Sequence, residues 1–225
     1  MDVTLESDFV EPLAGGKPDC LIVLCHGIHA DGSQLSRLTE VWRDALPTAA
    51  FALPHAPWAR RRLAFFRRKQ REWFSIRDKR PAAYEAGVRT AAKLLDNFID
   101  AELKRRALEP GAYALAGYSQ GAMTVLFAGL RRALPPRAIV AIAGSLIASD
   151  RLVSEISNRA PVLLMHGADD HVVPAQSSRL AERILSQAGV PVEALYQAGL
   201  AHDLDEVEIR EGALFLKRIF SNQKN

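Results

Sequence analysis

Tyr113-Ala114-Leu115-Ala116-Gly117-Tyr118-Ser119-Gln120-Gly121-Ala122 runs from an apolar stretch, through a G-x-S-x-G pattern, into a helix-like segment from Gln120 to Leu134. A strand, a sharp turn carrying Ser and then a helix is the context in which this pattern has a mechanical meaning. The turn is tight enough that only Gly at the two flanking positions, 117 and 121, avoids clashes with neighbouring backbone. It presents the Ser119 hydroxyl above the sheet, near the positive end of the following helix. The plainer alternative is a Gly-rich turn holding an idle Ser; the residues found downstream favour a nucleophile.

Outward from that turn, short apolar runs alternate with longer helical patterns. Cys20 to Cys25 is continuously apolar, as a strand buried on both faces requires. Ala49 to Leu53, Tyr113 to Ala116, Ala138 to Ala143, Val162 to Met165 and Val192 to Tyr196 are further strand candidates. From about Ala82 to Arg106, Tyr84, Val88, Ala91, Leu95 and Phe98 recur at spacings of four and three, one apolar stripe of a helix. A second helix is expected from Ala175 to Ala188, entered after Pro174 and closed by Gly189 and Pro191, and a third after Asp205. Strands alternating with helices predict a mostly parallel sheet covered on both faces. Without repeats, low-complexity tracts or linkers, residues 1–225 read as one domain. Ligands of such sheets bind beyond the carboxyl ends of the strands.

The 225 residues suffice for a full core, and 48% apolar with 24% charged is an ordinary globular composition. No uncharged apolar stretch approaches the ~20 residues that span a bilayer. The first ten residues carry Asp2, Glu6 and Asp8 and no basic region, unlike a secretory signal. Cys20 and Cys25, five residues apart on one strand, should point to opposite faces, remain reduced and suit a cytoplasmic protein. The net charge of +3 hides an uneven distribution. Between Trp58 and Arg80 ten Lys or Arg face only Glu72 and Asp78, whereas the rest of the chain holds nineteen basic and twenty-four acidic residues. A nucleic-acid binder spreads its basic surface more widely. This segment, 58–80, reads instead as a basic flap, with a solvated loop or an oligomer contact as the plainer alternative.

A serine hydroxyl needs a base to take its proton, and the base needs an orienting group. After the Val162 to Met165 strand comes His166-Gly167-Ala168-Asp169-Asp170-His171-Val172-Val173-Pro174, where either Asp could orient. His202, in the loop Gly199 to Asp203 before the last helix, has the order and placement of the base. His26, His29, His166 and His171 show no metal-ligand spacing with Asp169 and Asp170, so no metal or other cofactor is expected. Oxyanion donors are expected at the backbone N–H of Gln120, after the nucleophile, and of Ile28, after Leu24-Cys25-His26-Gly27. His26 is better read as shaping that loop than as catalytic.

These elements resemble the carboxylesterase, lysophospholipase and acyl-protein thioesterase family of small α/β-hydrolases. The resemblance rests on Leu24-Cys25-His26-Gly27, Gly117 to Ala122, His166-Gly167-x-x-Asp170-x-Val172-Val173-Pro174 and Ala201-His202. Trp73-Phe74-Ser75-Ile76 is similar to the family's Trp-Phe-Asp segment, and Leu53-Pro54-His55-Ala56-Pro57 to its proline-bearing loop. The stretch between them lies near the substrate entrance in the family, so the resemblance implies that the basic flap 58–80 stands near the active-site mouth. The match spans nearly the whole chain and implies the α/β-hydrolase fold with a Ser119–His202–Asp170 triad. It selects Asp170 over Asp169, because the family's acid stands two residues before the Val-Pro core. Two departures stand out: Ser75 where the family usually has Asp, and His171 where Pro is common. The implied activity is hydrolysis of carboxylic esters of small to medium acyl groups, or alternatively of long-chain lysophospholipids or acyl-protein thioesters. A binding protein that kept the fold would lack a triad member, and none is missing. Trp58, Phe65, Phe66, Trp73 and Phe74, with Val173 beside the acid, are the expected acyl-pocket residues, ordinary core being the alternative for the aromatics. The expected partners are a small-molecule or lipid ester and at most a second copy in a homodimer, with no nucleic acid and no integral membrane association.

Overall fold

The computed structural model describes residues 5–59 and 70–221. Five of its strands are buried along their whole length, among them β2 (Cys20–Cys25), β3 (Ala49–Pro54), β6 (Tyr113–Tyr118) and β8 (Val162–Gly167). With β1 (Ser7–Val10), β7 (Ile139–Ile142) and β9 (Val192–Gln197) they form one seven-stranded sheet in the order β1-β3-β2-β6-β7-β8-β9. Only β1 runs antiparallel, along β3. A two-stranded ribbon, β4 (Trp58–Ala59) and β5 (Arg71–Glu72), stands apart.

The strands separate two cores by simple alternation. Leu21, Val23 and Cys25 of β2 join the layer under α2 (Pro81–Arg105), α3 (Gln120–Gly129) and α5 (Gln176–Gln187). Cys20, Ile22 and Leu24 join the layer under α1 (Ser36–Ala45) and α6 (Glu206–Ser221). Period-two alternation thus puts the two cysteines on opposite faces, and no disulfide joins them. α1 and α6 are joined by Trp42, fully buried, whose Nε1 donates to the Ile209 carbonyl at 2.8 Å.

The strand order changes direction at β2: the next strand, β3, lies on one side and β6 on the other. A parallel sheet leaves a crevice at such a switch point, beyond the carboxyl ends of the two central strands. Cys25 is paired with Gly117 there, so the segments beginning at His26 and Ser119 emerge side by side.

Most expected elements form within two residues of their expected bounds, with one correction. The helix after Ser119 ends at Gly129, five residues before Leu134. Asn158 Nδ2 takes the carbonyls of Gly129 and Arg132 at 2.8 and 2.9 Å, and the Ser157 amide takes that of Leu130. A neighbouring loop therefore satisfies the carbonyls at that end. Pro135 and Pro136 then exclude helix from the residues before them. β1, α1, the β4–β5 ribbon and the short α4 (Leu152–Glu155) were not foreseen.

Candidate active site

Ser119 sits between β6 and α3 at φ 54° and ψ −116°, a backbone conformation that L-residues rarely adopt. Holding it costs on the order of 1–3 kcal/mol, which the surroundings must impose. They do so through the Ser119 amide, 2.8 Å from the Ile142 carbonyl, and through two glycines. A Cβ on Gly117 would lie 2.5 Å from the Gly121 carbonyl group, and one on Gly121 would overlap the Cys25 carbonyl oxygen. The sequence expectation for both positions therefore has a steric cause.

Above Ser119 a loop descends from β9. His202 Nε2 lies 3.0 Å from Ser119 Oγ, and His202 Nδ1 lies 2.6 Å from Asp170 Oδ2. A carboxylate only accepts, so Nδ1 carries the proton and Nε2 is left to accept from the serine hydroxyl. Three contacts place the His202 loop. Tyr118 Oη donates to the His202 carbonyl at 2.9 Å, and its ring packs against the imidazole at 5.2 Å between centroids. Gly167 has no room for a Cβ beneath the carbonyls of Leu200 and Ala201. Asp169 is exposed and accepts the Gly199 amide at 2.8 Å.

Asp170, by contrast, is buried at the foot of this chain. Its Oδ1 accepts the amides of Val172 and Val173 at 2.8 and 2.9 Å. Burial pushes its pKa up, but the His202 hydrogen bond and the two amides outweigh that and hold the carboxyl below its ordinary range. Of the two candidate acids, Asp170 reaches His202, and Asp169 ties down the loop that carries it.

Gly27 and Ile28 follow β2 along the other side of Ser119. A Cβ on Gly27 would lie 3.5 Å from the Ser119 Cβ, and the Gly27 amide donates to Gln34 Oε1 at 2.8 Å. Ile28 is half-buried; its amide and that of Gln120 take no acceptor among the described residues. His26 shapes this loop. Its Nδ1 donates to the Gly27 carbonyl at 2.7 Å and its Nε2 accepts the Ala56 amide at 3.0 Å. Burial lowers its pKa to about 4, so the imidazole is neutral and its tautomer set.

Trp73 and Phe74 are fully buried core side chains and offer no surface to a ligand as they stand. Their connection to the site runs through the Gln120 side chain, which accepts the Trp73 amide at 2.8 Å and donates to the Phe74 carbonyl at 2.7 Å. Trp73 Nε1 also donates to the His26 carbonyl at 2.9 Å. Val173 is half-buried beside Asp170, and Trp58 is partly exposed. Phe65, Phe66 and most of the basic run lie outside the described residues. Sequence reasoning did not single out the clamp of Gln120 or the packing of Tyr118 on His202. Both residues flank Ser119, and that adjacency was the available signal.

The model of the phospholipase/carboxylesterase family matches residues 10–220. Acyl-protein thioesterase 1 of Gibberella zeae is 25% identical over 95% of this chain and 97% of its own length. The crystal structure of esterase PE8 is 33% identical, has a TM-score of 0.87 and covers 96% of this chain and all of its own. That of Zea mays acyl-protein thioesterase 2, 22% identical over 95% of this chain and 98% of its own, shares the fold at a TM-score of 0.69. With nearly its whole length matched by the family model, the chain belongs to the phospholipase/carboxylesterase family.

Proposed function

We propose that this chain is a serine carboxylesterase cleaving esters of small to medium acyl groups through an acyl-enzyme, with Ser119, His202 and Asp170 as its triad. The observation that carries the reading is the unbroken line of hydrogen bonds from Ser119 Oγ through both nitrogens of His202 to Asp170 Oδ2. Ser119 Oγ attacks the substrate carbonyl carbon while His202 Nε2 takes its proton. The imidazolium is held by Asp170, and the amides of Ile28 and Gln120 receive the oxyanion. His202 then protonates the leaving oxygen, and an acyl-Ser119 ester remains. Water, deprotonated by His202, attacks that ester; the acid departs and the proton returns to Ser119. Residue 75 being Ser rather than the family's usual Asp bears on substrate contacts, not on these steps.

The second reading, a thioesterase or lysophospholipase acting on long acyl chains, is favoured by the full-length similarity to acyl-protein thioesterases. Its chemistry is the same, with a thiolate leaving when the substrate is a thioester. The partner on either reading is a small-molecule or lipid ester. Among the described residues no helix is long and apolar enough to cross a membrane. A fluorophosphonate probe should label the protein and fail on Ser119→Ala, and persistent labelling would remove Ser119 from the role. A series of p-nitrophenyl esters from acetate to palmitate separates the readings, kcat/KM peaking at short chains for the first and at long chains for the second.

A further inference from the structure

Asp170 holds a second imidazole besides that of His202. His166 Nε2 lies 3.1 Å from Asp170 Oδ2, the oxygen that also faces His202, and 2.8 Å from the Val173 carbonyl. Both of these groups are acceptors, so Nε2 carries a proton. His166 Nδ1 lies 2.7 Å from Ser178 Oγ, which also reaches the Gly144 carbonyl at 3.2 Å. The His166 and Asp170 side chains are fully enclosed, and Ser178 is buried. The imidazole thus ties the end of β8, which leads into the acid's turn, to α5, which leaves it. None of the steps above uses this group.

We infer that His166 is a positioning residue: its Nε2–H fixes the Asp170 carboxylate so that Oδ2 faces His202, and draws part of that oxygen's charge away from His202. The inference rests on the triad reading. A donor on a carboxylate stabilises the charge and weakens the oxygen as an acceptor for anything else. With His166 in place, the His202 imidazolium formed in each proton transfer is stabilised less by Asp170. Asp203, Asp205, Glu208 and the Tyr118 hydroxyl also bear on this region.

The test compares His166→Leu, which removes the donor, with His166→Gln, whose amide nitrogen can reach the same two acceptors. The Leu variant should lose about tenfold to a hundredfold in kcat with KM little changed, in keeping with loss of a hydrogen bond to a charged group. The acid limb of its kcat/KM profile should move to higher pH, because the His202 imidazolium is then held by the whole Asp170 charge. The Gln variant should restore the limb and most of kcat. A role in packing alone predicts an unmoved limb and no advantage of Gln over Leu, and that result overturns the inference. Should the Leu variant not fold, nitrogen NMR of histidine-labelled wild type decides. Nε2 of His166 must be protonated throughout the pH range of activity, and an unprotonated Nε2 refutes the inference. Ser119→Ala and Asp170→Asn run alongside. Full turnover in these would sink the triad itself, a result distinct from failure at 166.

Discussion

Glu208→Gln should remove a pH dependence of stability that the wild type carries between weakly acidic and weakly alkaline solution. Glu208 lies in the first turn of α6, where its amide donates to Asp205 Oδ1 at 3.0 Å. Its carboxyl is fully buried, and neither oxygen has a hydrogen-bond partner among the described residues. A helix N-terminus favours a carboxylate by some tenths of a kcal/mol, too little to offset such burial. Burial first, then the charges of Asp205, Asp203 and Asp170, push its pKa from 4.5 up to about 8. Between those values the folded protein holds a proton that the unfolded chain has released. Stability therefore falls as pH rises: the contribution is fully present below about 4.5 and lost by about 8. At 1.36 kcal/mol per pH unit, the stretch from pH 5.5 to 8 should cost the wild type about 3 kcal/mol through this group alone. The Gln variant has nothing to titrate there. Urea unfolding of both proteins across that range, at constant ionic strength, gives the difference directly. It should reach about 3 kcal/mol, or roughly 6–12 °C in Tm for a chain of this size. Parallel stability curves would refute the buried, neutral carboxyl.

Asp170→Asn should lower kcat about 10⁴-fold, because the imidazole is left in the wrong tautomer, whereas Asp169→Asn should cost little in steady-state assays. The reverse ranking would move the acid. Gly121→Ala, whose new methyl group overlaps the Cys25 carbonyl oxygen, should destabilise the fold by several kcal/mol, read by denaturant unfolding. An unchanged midpoint would mean that the turn can open. Reversing charge at Arg67 and Arg68 should reduce the preference for an acidic over a neutral ester of equal acyl length, more at low salt than at high, since the Debye length is ~8 Å at physiological ionic strength. An acidic ester with no advantage at low salt, and a ratio indifferent to the reversals, would leave the basic segment 58–80 without an electrostatic role in substrate choice.

The parts of the fold legible in the sequence are those governed by local rules. Cys20–Cys25 reads as a strand because both its faces are buried, and Tyr113 to Gly121 reads as strand and turn because no other residue fits at the two glycines. β1 was not legible: SDFV is short, half exposed and held as an edge only by its pairing with β3. The end of α3 was not legible either, since Asn158, nearly thirty residues away, takes its last carbonyls. In the site, chain order points to Ser119 and His202, but it cannot divide Asp169 from Asp170. That division depends on which side chain turns inward, and the family resemblance supplied the choice. Trp73 and Phe74 read as pocket residues because aromatic composition alone does not tell a pocket wall from a core.

The same distinction explains where local rules fail. Ser119 at positive φ, His26 and His166 buried among polar partners, and Glu208 buried without partners all run against the propensities that make the rest of the chain readable. All four lie at the carboxyl-end side of the sheet or on the segments that pack against it. At Ser119 and at Glu208 the cost is on the order of a kcal/mol or more each. The sheet and its two cores must hold these residues against their preferences. A wild type less stable than its Glu208→Gln variant at alkaline pH would therefore be the signature of a site whose geometry is kept at the expense of the fold.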